Sequence, residues 1–237
     1  MESTYLNCLA LFGVGGAHPG GLNLTRRMLS KEKMDASTKV LDVGCGTGQT
    51  SALISKQYQC QVTALDYNKM MLEKAKKRFQ SMNLQIETQY GTAENLPFKN
   101  GSFDLLLSES VTAFTDISKT IPEYKRVLKP NGVLLAIEMM RETDISEKQM
   151  KEILDFYGVR QLLSEQEWLA HFEKVGFEKI EVEKVELHPD IQKMDVSNDY
   201  SLSKDIDPSF YKIFEKHHHL SILYKDILGC RIFRCSL

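Results

Sequence analysis

The chain has 237 residues, 42% hydrophobic and 26% charged, which is enough apolar material for one large α/β unit with a buried core. Its formal charge of −2 is spread along the sequence, and basic runs such as Lys74 to Arg78 are broken by apolar residues at helical spacing, so nothing points to nucleic acid or a membrane as partner. Five cysteines without a CxxC pair, no basic leader, and no apolar run near the roughly 18 residues of a span predict a cytoplasmic protein with free thiols, monomeric or homodimeric.

Strands alternate with helices from residue 38 onward, the pattern of a mostly parallel sheet covered on both faces. Residues 1–37 form an N-terminal arm that contains Ala17, His18, Pro19, Gly20 and Gly21. Lys39 to Val43 reads as a strand, Thr50 to Gln57 as a helix and Gln61 to Asp66 as a second strand. Asn68 is placed to cap the next helix, where Met71, Ala75 and Phe79 share one face and Glu73 and Lys77 pair on another. Gln85 to Gln89 and Phe103 to Ser108 are the third and fourth strands. A helix starting near Pro122 carries Tyr124, Val127 and Leu128 and ends at Lys129-Pro130-Asn131-Gly132, with Asn-Gly as a turn before a fifth strand, Val133 to Met139. Ser164 to Glu173 is a helix with Trp168 in its core face, and Gly176 ends it. Phe177 to Glu183 and Gly229 to Cys235 alternate as edge strands, and the second holds Cys230 and Cys235 on opposite faces. The residues between them far exceed a hairpin loop of ~2–5 residues, and they include a polar stretch and an amphipathic helix.

The run VLDVGCGTG, Val40 to Gly48, carries the chemistry. Glycines at alternate positions behind a strand let an elongated ligand lie against the main chain. A dinucleotide fingerprint would place its third glycine at position 49, where this chain has Gln49; the glycines stand at Gly44, Gly46 and Gly48. Asp42 inside the run also disfavours a phosphate. Asp66 at the end of the second strand can accept hydrogen bonds from both hydroxyls of a ribose. The expected ligand is therefore a nucleoside without a phosphate chain.

With ALDYNKMMLEKAKKR, GTAENLPFKNGSFDLLLS and EYKRVLKPNGVLL following in order, this run resembles the successive motifs of class I S-adenosylmethionine-dependent methyltransferases, nearest to the small-molecule, ubiquinone- and menaquinone-biosynthesis group. The resemblance covers roughly residues 38 to 140. It implies a Rossmann-like α/β sheet of seven strands in the order 3-2-1-4-5-7-6, with S-adenosylmethionine as cofactor and a small organic acceptor. Gly44, Cys45, Gly46 and Gly48 would border the methionyl part together with Asp42. Asp66 would hold the ribose, Tyr67 and Met71 the adenine, and Thr92, Ala93 and Glu94 its edge. Ser108 would stand near the cofactor, and Gly20, Gly21 and Thr25 would fold over its methionyl end. Thr92 stands where the family usually has Asp, and its hydroxyl is a weaker acceptor for the exocyclic amine than a carboxylate.

Such a site has to align a nucleophile with the carbon–sulfur bond and exclude water, without a metal. His18 and Glu109 are the candidate bases, and Glu138 at the end of the fifth strand is a third. Residues 38–237 would form the methyltransferase domain. Residues 141–163 and 188–228 are expected to join the arm in a cap over the substrate, with Phe156, Tyr157, Phe210 and Tyr211 either lining an apolar pocket or packing the cap onto the sheet. Cys45 reads as a small filler rather than a nucleophile, and His217, His218 and His219 as exposed or partly packed. The rival reading is a cofactor-binding partner subunit without turnover.

Overall fold

Val40, Leu41 and Val43 are apolar without alternation, as a strand covered on both faces requires, and all three are buried in the computed structural model, which describes residues 4–186 and 199–237. In chain order the elements are α1 (Tyr5–Phe12), α2 (Gly21–Leu29), β1 (Lys39–Val43), α3 (Gln49–Tyr58), β2 (Gln61–Asp66), α4 (Lys69–Ser81), β3 (Glu87–Tyr90) and β4 (Phe103–Glu109). After a 3-10 turn at Thr112–Phe114 come α5 (Ile117–Val127), β5 (Leu128–Arg141), α6 (Glu147–Tyr157), α7 (Glu165–Val175), β6 (Lys179–Lys184), α8 (Ser209–Leu223) and β7 (Leu228–Ser236). The seven strands form one sheet in the order β3-β2-β1-β4-β5-β7-β6. The first five are parallel, and β7 runs antiparallel to β5 and β6. This is the sheet order that the motifs implied.

The pleat divides the core in two. Leu41, Val43, Leu106 and Ala136 face a layer containing Tyr124, Trp168, Phe172 and Leu220, while Val40, Leu105, Leu107 and Ile137 face Leu24, Met28, Leu53 and Ile54. Trp168 is fully buried, and its indole N–H donates to the Met139 carbonyl. Cys235 lies in the first layer and Cys230 in the second, so the two thiols stand on opposite faces. All five cysteines are buried and unpaired.

Several elements differ from the sequence reading. Helix α5 begins at Ile117, five residues before Pro122, because the Asp116 carboxylate accepts from the Ser118 amide and hydroxyl and starts the helix there. Pro122 sits in the second turn, where its missing N–H affects only the Ser118 carbonyl. Lys129 to Gly132 is an irregularity inside β5 rather than a separate turn, and the register against β4 shifts between Phe103 and Leu105. Glu73 pairs with Lys76 at 2.8 Å, not with Lys77.

The arm is two helices with different duties. Helix α2 covers the sheet, whereas α1 packs on α4 and α8 through Cys8, Leu9, Phe12, Met71 and Phe210. Lys74 of α4 donates to the Ala10 and Leu11 carbonyls, at 2.8 and 3.0 Å, and to the Ser201 carbonyl. It thereby satisfies carbonyls that the end of α1 leaves open. Of the four aromatic residues expected in the cap, Phe210 is buried in the α1 cluster, Tyr211 is 53% exposed against Phe12, and Phe156 packs on Tyr5 and Tyr157. Residues 188–198 of the expected insertion lie outside the described residues. No described helix is long and apolar enough to cross a membrane.

Candidate active site

At the carboxyl ends of β1, β2 and β4 lies a cavity of about 380 Å³ whose floor is the glycine loop. The Gly44 and Cys45 amides donate to the Leu65 carbonyl, and the Gly46 amide donates to Asp66 Oδ2 at 2.9 Å. Gly44, Gly46 and Gly48 all have left-handed backbones, with φ of 69, 54 and 77°. Their reasons for being glycine differ. A Cβ on Gly44 would stand 2.5 Å from Val111, and one on Gly48 would stand 2.5 Å from Phe79, so both serve packing. A Cβ on Gly46 would meet nothing within 4 Å, and Gly46 lines the cavity. Gly44 and Gly46 line the cavity and Gly48 does not, and Gly46 is the one with open space at its Cβ position.

Asp66 is 5% exposed and accepts from the Gly46 and Asn68 amides, 2.9 and 2.8 Å away. Burial raises its pKa above the usual carboxylate range. The Tyr67 amide also acts on this carboxylate, and its oxygens keep acceptor capacity beyond these backbone donors. Asp42 is buried on the β1 strand with Ser51 donating to Oδ2 at 2.5 Å; burial first, then the Glu109 charge, push its carboxyl up to about 7. Burial also raises the Cys45 thiol well above its ordinary value, so the group is protonated and acts as a filler. Tyr67, Met71, Thr92, Ala93 and Glu94 line the same cavity. Glu94 Oε1 accepts from the Asp116 amide at 2.6 Å, which ties the cavity rim to the start of α5.

Ser108 lies near the end of β4, beside the lining residue Glu109. Its side chain is fully buried in a closed network with Thr112 Oγ1 (3.0 Å), the Tyr124 hydroxyl (3.1 Å) and Glu138 Oε1 (3.5 Å), and it lines no described cavity. Gly20 and Gly21 line a second cavity rather than the first, and Thr25 lines neither.

Thr25 instead joins the two candidate bases. Its hydroxyl donates to Glu109 Oε1 at 2.6 Å and lies 3.3 Å from His18 Nε2, and Thr50 donates to Glu109 Oε2 at 2.6 Å. His18 Nε2 stands 3.6 Å from Glu109 Oε2, and Nδ1 lies 3.2 Å from the Pro19 carbonyl. Residues from the arm, α2, α3 and β4 thus converge on one carboxylate. Thr50 escaped the sequence reading; its place in the first turn after the glycine loop was the available signal.

The second cavity, about 260 Å³, shares Leu6, Leu9, Val14, His18, Ser110 and Phe114 with the first. Tyr5, Met139, Tyr157 and His217 line its far side. The Tyr157 hydroxyl is 3.1 Å from His217 Nδ1; burial lowers the His217 pKa and raises that of Tyr157 to about 12. Of the expected cap aromatics, Tyr157 is the one that reaches this cavity. Glu138 is fully buried, with Oε1 accepting from the Thr112 amide at 3.1 Å, and burial pushes its carboxyl up to about 7. Ser110, at the boundary of the two cavities, has φ 57°, a left-handed backbone that a non-glycine residue seldom adopts. Neither Ser110 nor its strain was legible in the sequence.

A family model described as a methyltransferase domain matches residues 40–132. The chain is 39% identical over 231 residues, 98% of both chains, to a Bacillus subtilis protein named as an uncharacterized methyltransferase, YodH. It is 29% identical over 154 residues to the demethylmenaquinone methyltransferase of Staphylococcus saprophyticus, across 61% of this chain and 66% of that one. A similar solved structure is phosphoethanolamine N-methyltransferase 2 of Haemonchus contortus in complex with S-adenosyl-L-methionine, with a TM-score of 0.81 at 20% identity. That match covers 98% of this chain and 56% of the other, and it speaks for the fold.

Proposed function

The chain belongs to the class I S-adenosylmethionine-dependent methyltransferases, and from that premise we propose that it methylates a small organic acceptor held in the second cavity, by in-line displacement and without a metal. The observation that carries this reading is the pair of contiguous cavities, one floored by the glycine loop and the other walled by α1 and side chains of β5, α6 and α8, sharing His18 and Ser110.

The first cavity fits the cofactor. Asp42, Asp66, Glu94 and Glu109 line it, and among the described residues no lysine or arginine does. A ligand with sulfonium and ammonium charges is favoured there, and a phosphate chain is not. The bare backbone of Gly46 leaves room for the ligand, and Asp66 and Tyr67 are the residues to hold its adenosine part. When bound, the cofactor supplies a methyl group already made electrophilic by its sulfonium. The chain's own work is then to position and to dry. Leu6, Leu9 and Val14 of the arm exclude water from the boundary between the cavities. Glu109, fixed by Thr25 and Thr50, holds the His18 ring at that boundary, where it can accept a proton from the acceptor.

The test is formation of S-adenosylhomocysteine from S-adenosylmethionine with a panel of small acceptors, in the presence and absence of a chelator. Turnover unaffected by the chelator is expected. A saturating calorimetric titration that shows no uptake of S-adenosylmethionine would overturn the reading.

A further inference from the structure

We propose that the acceptor is an amine on an apolar body, its N–H groups donating to Glu138 Oε2 and to the Ser110 hydroxyl in the second cavity. This rests on the methyltransferase reading above and adds the class of substrate.

Glu138 is fully buried and lines the second cavity, and Oε2 has no hydrogen-bond partner among the described residues. A buried carboxyl oxygen without a partner is costly, and native proteins keep such atoms rarely. The sheet does supply a cation nearby, because Arg231 stands opposite Glu138 in the β5–β7 register. That guanidinium is committed elsewhere, at 2.6 and 2.9 Å from Glu142 and 2.6 Å from Glu165. Arg231 therefore does not neutralise Glu138, whose Oε1 is held by the Thr112 amide and approached by the Ser108 hydroxyl, with the Ala113 amide also acting on the carboxyl.

Two more oxygens in the same cavity share this condition. Among the described residues Ser110 Oγ is buried without a partner, and so is Asp199 Oδ2, whose other oxygen is bonded to Arg78 at 2.6 Å. All three can accept a hydrogen bond, and the two carboxylates can accept only from a donor or a cation. An anionic acceptor, a carboxylate or a phenolate, meets like charge here. Lys225, exposed, is the single lysine or arginine among the described lining residues. Beside His18, His217 and Ser221, the wall includes Tyr5, Leu9, Phe114, Met139 and Tyr157, which take an apolar body and offer ring faces to a cationic nitrogen. Burial raises the Glu138 carboxyl to about 7, so an amine arriving as its ammonium ion favours the carboxylate, whose proton leaves to solvent; the ammonium must then give up a proton to His18 at the boundary before its lone pair attacks the methyl carbon and the carbon–sulfur bond breaks to leave S-adenosylhomocysteine. Ser110 lines both cavities, so a nitrogen bonded to its hydroxyl lies at their boundary, on the side facing the glycine loop.

The experiment compares 2-phenylethylamine, 2-phenylethanol and 3-phenylpropionate for binding to the full-length protein saturated with S-adenosylhomocysteine, by calorimetry. Turnover of each with S-adenosylmethionine is measured alongside. The amine is expected to bind at least ~10-fold tighter than the alcohol and the acid. E138Q is expected to lose that preference, with amine affinity falling ~10-fold or more and alcohol affinity unchanged, while S-adenosylhomocysteine binds as in the wild type. Equal affinity for the three probes, preference for the acid, or an E138Q variant that keeps the amine preference would each overturn the proposal. In those cases S-adenosylhomocysteine still binds and the methyltransferase reading stands. Failure of S-adenosylhomocysteine to bind the wild type would instead overturn both.

Discussion

The two cavities are built by different means. The first has a main-chain floor: the Gly44, Cys45 and Gly46 amides are spent on Leu65 and Asp66, and the elements that carry them are neighbours in the sheet. The second is made of side chains from segments far apart in the chain, with Tyr5, Glu138, Tyr157 and His217 meeting only because the arm, β5, α6 and α8 pack together. A backbone site tolerates little change in shape, whereas a side-chain site can change its lining while the sheet stays intact. This contrast matches a fold that keeps one cofactor and varies its acceptor.

The harshest way to test the contrast is Gly48→Val. Its side chain would enter Phe79 and Ala75 on a backbone with φ 77°, so the variant should lose about 3–5 kcal/mol of stability, read from the denaturant midpoint. Near-wild-type stability would mean that the loop is more compliant than its packing implies. Asp66→Ala comes next. It removes the acceptor of the Gly46 and Asn68 amides and should weaken S-adenosylmethionine binding by roughly 1–3 kcal/mol in calorimetry. An unchanged affinity would detach the ribose from this carboxylate.

A third test is pH. The folded-state pKa of Asp42, about 7, lies above its unfolded value, so between those two values the folded protein binds more protons than the unfolded one and stability falls as pH rises. The cost is absent at acid pH, grows from about pH 4 and is complete above about pH 7. Asn at this position still accepts from Ser51 but carries no charge against Glu109 and Asp66. The stability of Asp42→Asn relative to wild type should therefore rise by roughly 1–3 kcal/mol across that window, as unfolding at several pH values will show. A flat difference would place the ionised form comfortably in the fold. The smallest effect is expected in the side-chain region. Lys74→Met frees the carbonyls at the end of α1 and should cost about 1 kcal/mol, with earlier amide exchange in residues 5–12 and an unchanged glycine loop. Exchange that rises equally in both regions would show that arm and loop open as one unit.

Legibility follows the same division. The sheet order, the Asn68 cap, the glycine loop, the Asp66 position and the buried Trp168 could be read because each depends on neighbours within one turn or one strand, or on motifs that arrive in a set order. The start of α5 is hidden in the sequence because Pro122 is a louder local signal than the Asp116 cap that decides it. His18 and Glu109 stand out singly in the sequence, by residue type and by their place beside a glycine pair or a strand end; their meeting through Thr25 and Thr50 has no local signature.

What the sequence determined by itself was the alternation of elements and the turn chemistry of the loop, since φ preference, capping and burial period act over a few residues. Tertiary structure alone decided that Ser108 is closed off, that Ser110 stands between two cavities, and that Glu138 keeps an unpartnered oxygen beside a committed Arg231. Those outcomes depend on which side chains compete for the same partner once strands β4, β5 and β7 lie side by side, a competition that no local stretch of chain encodes.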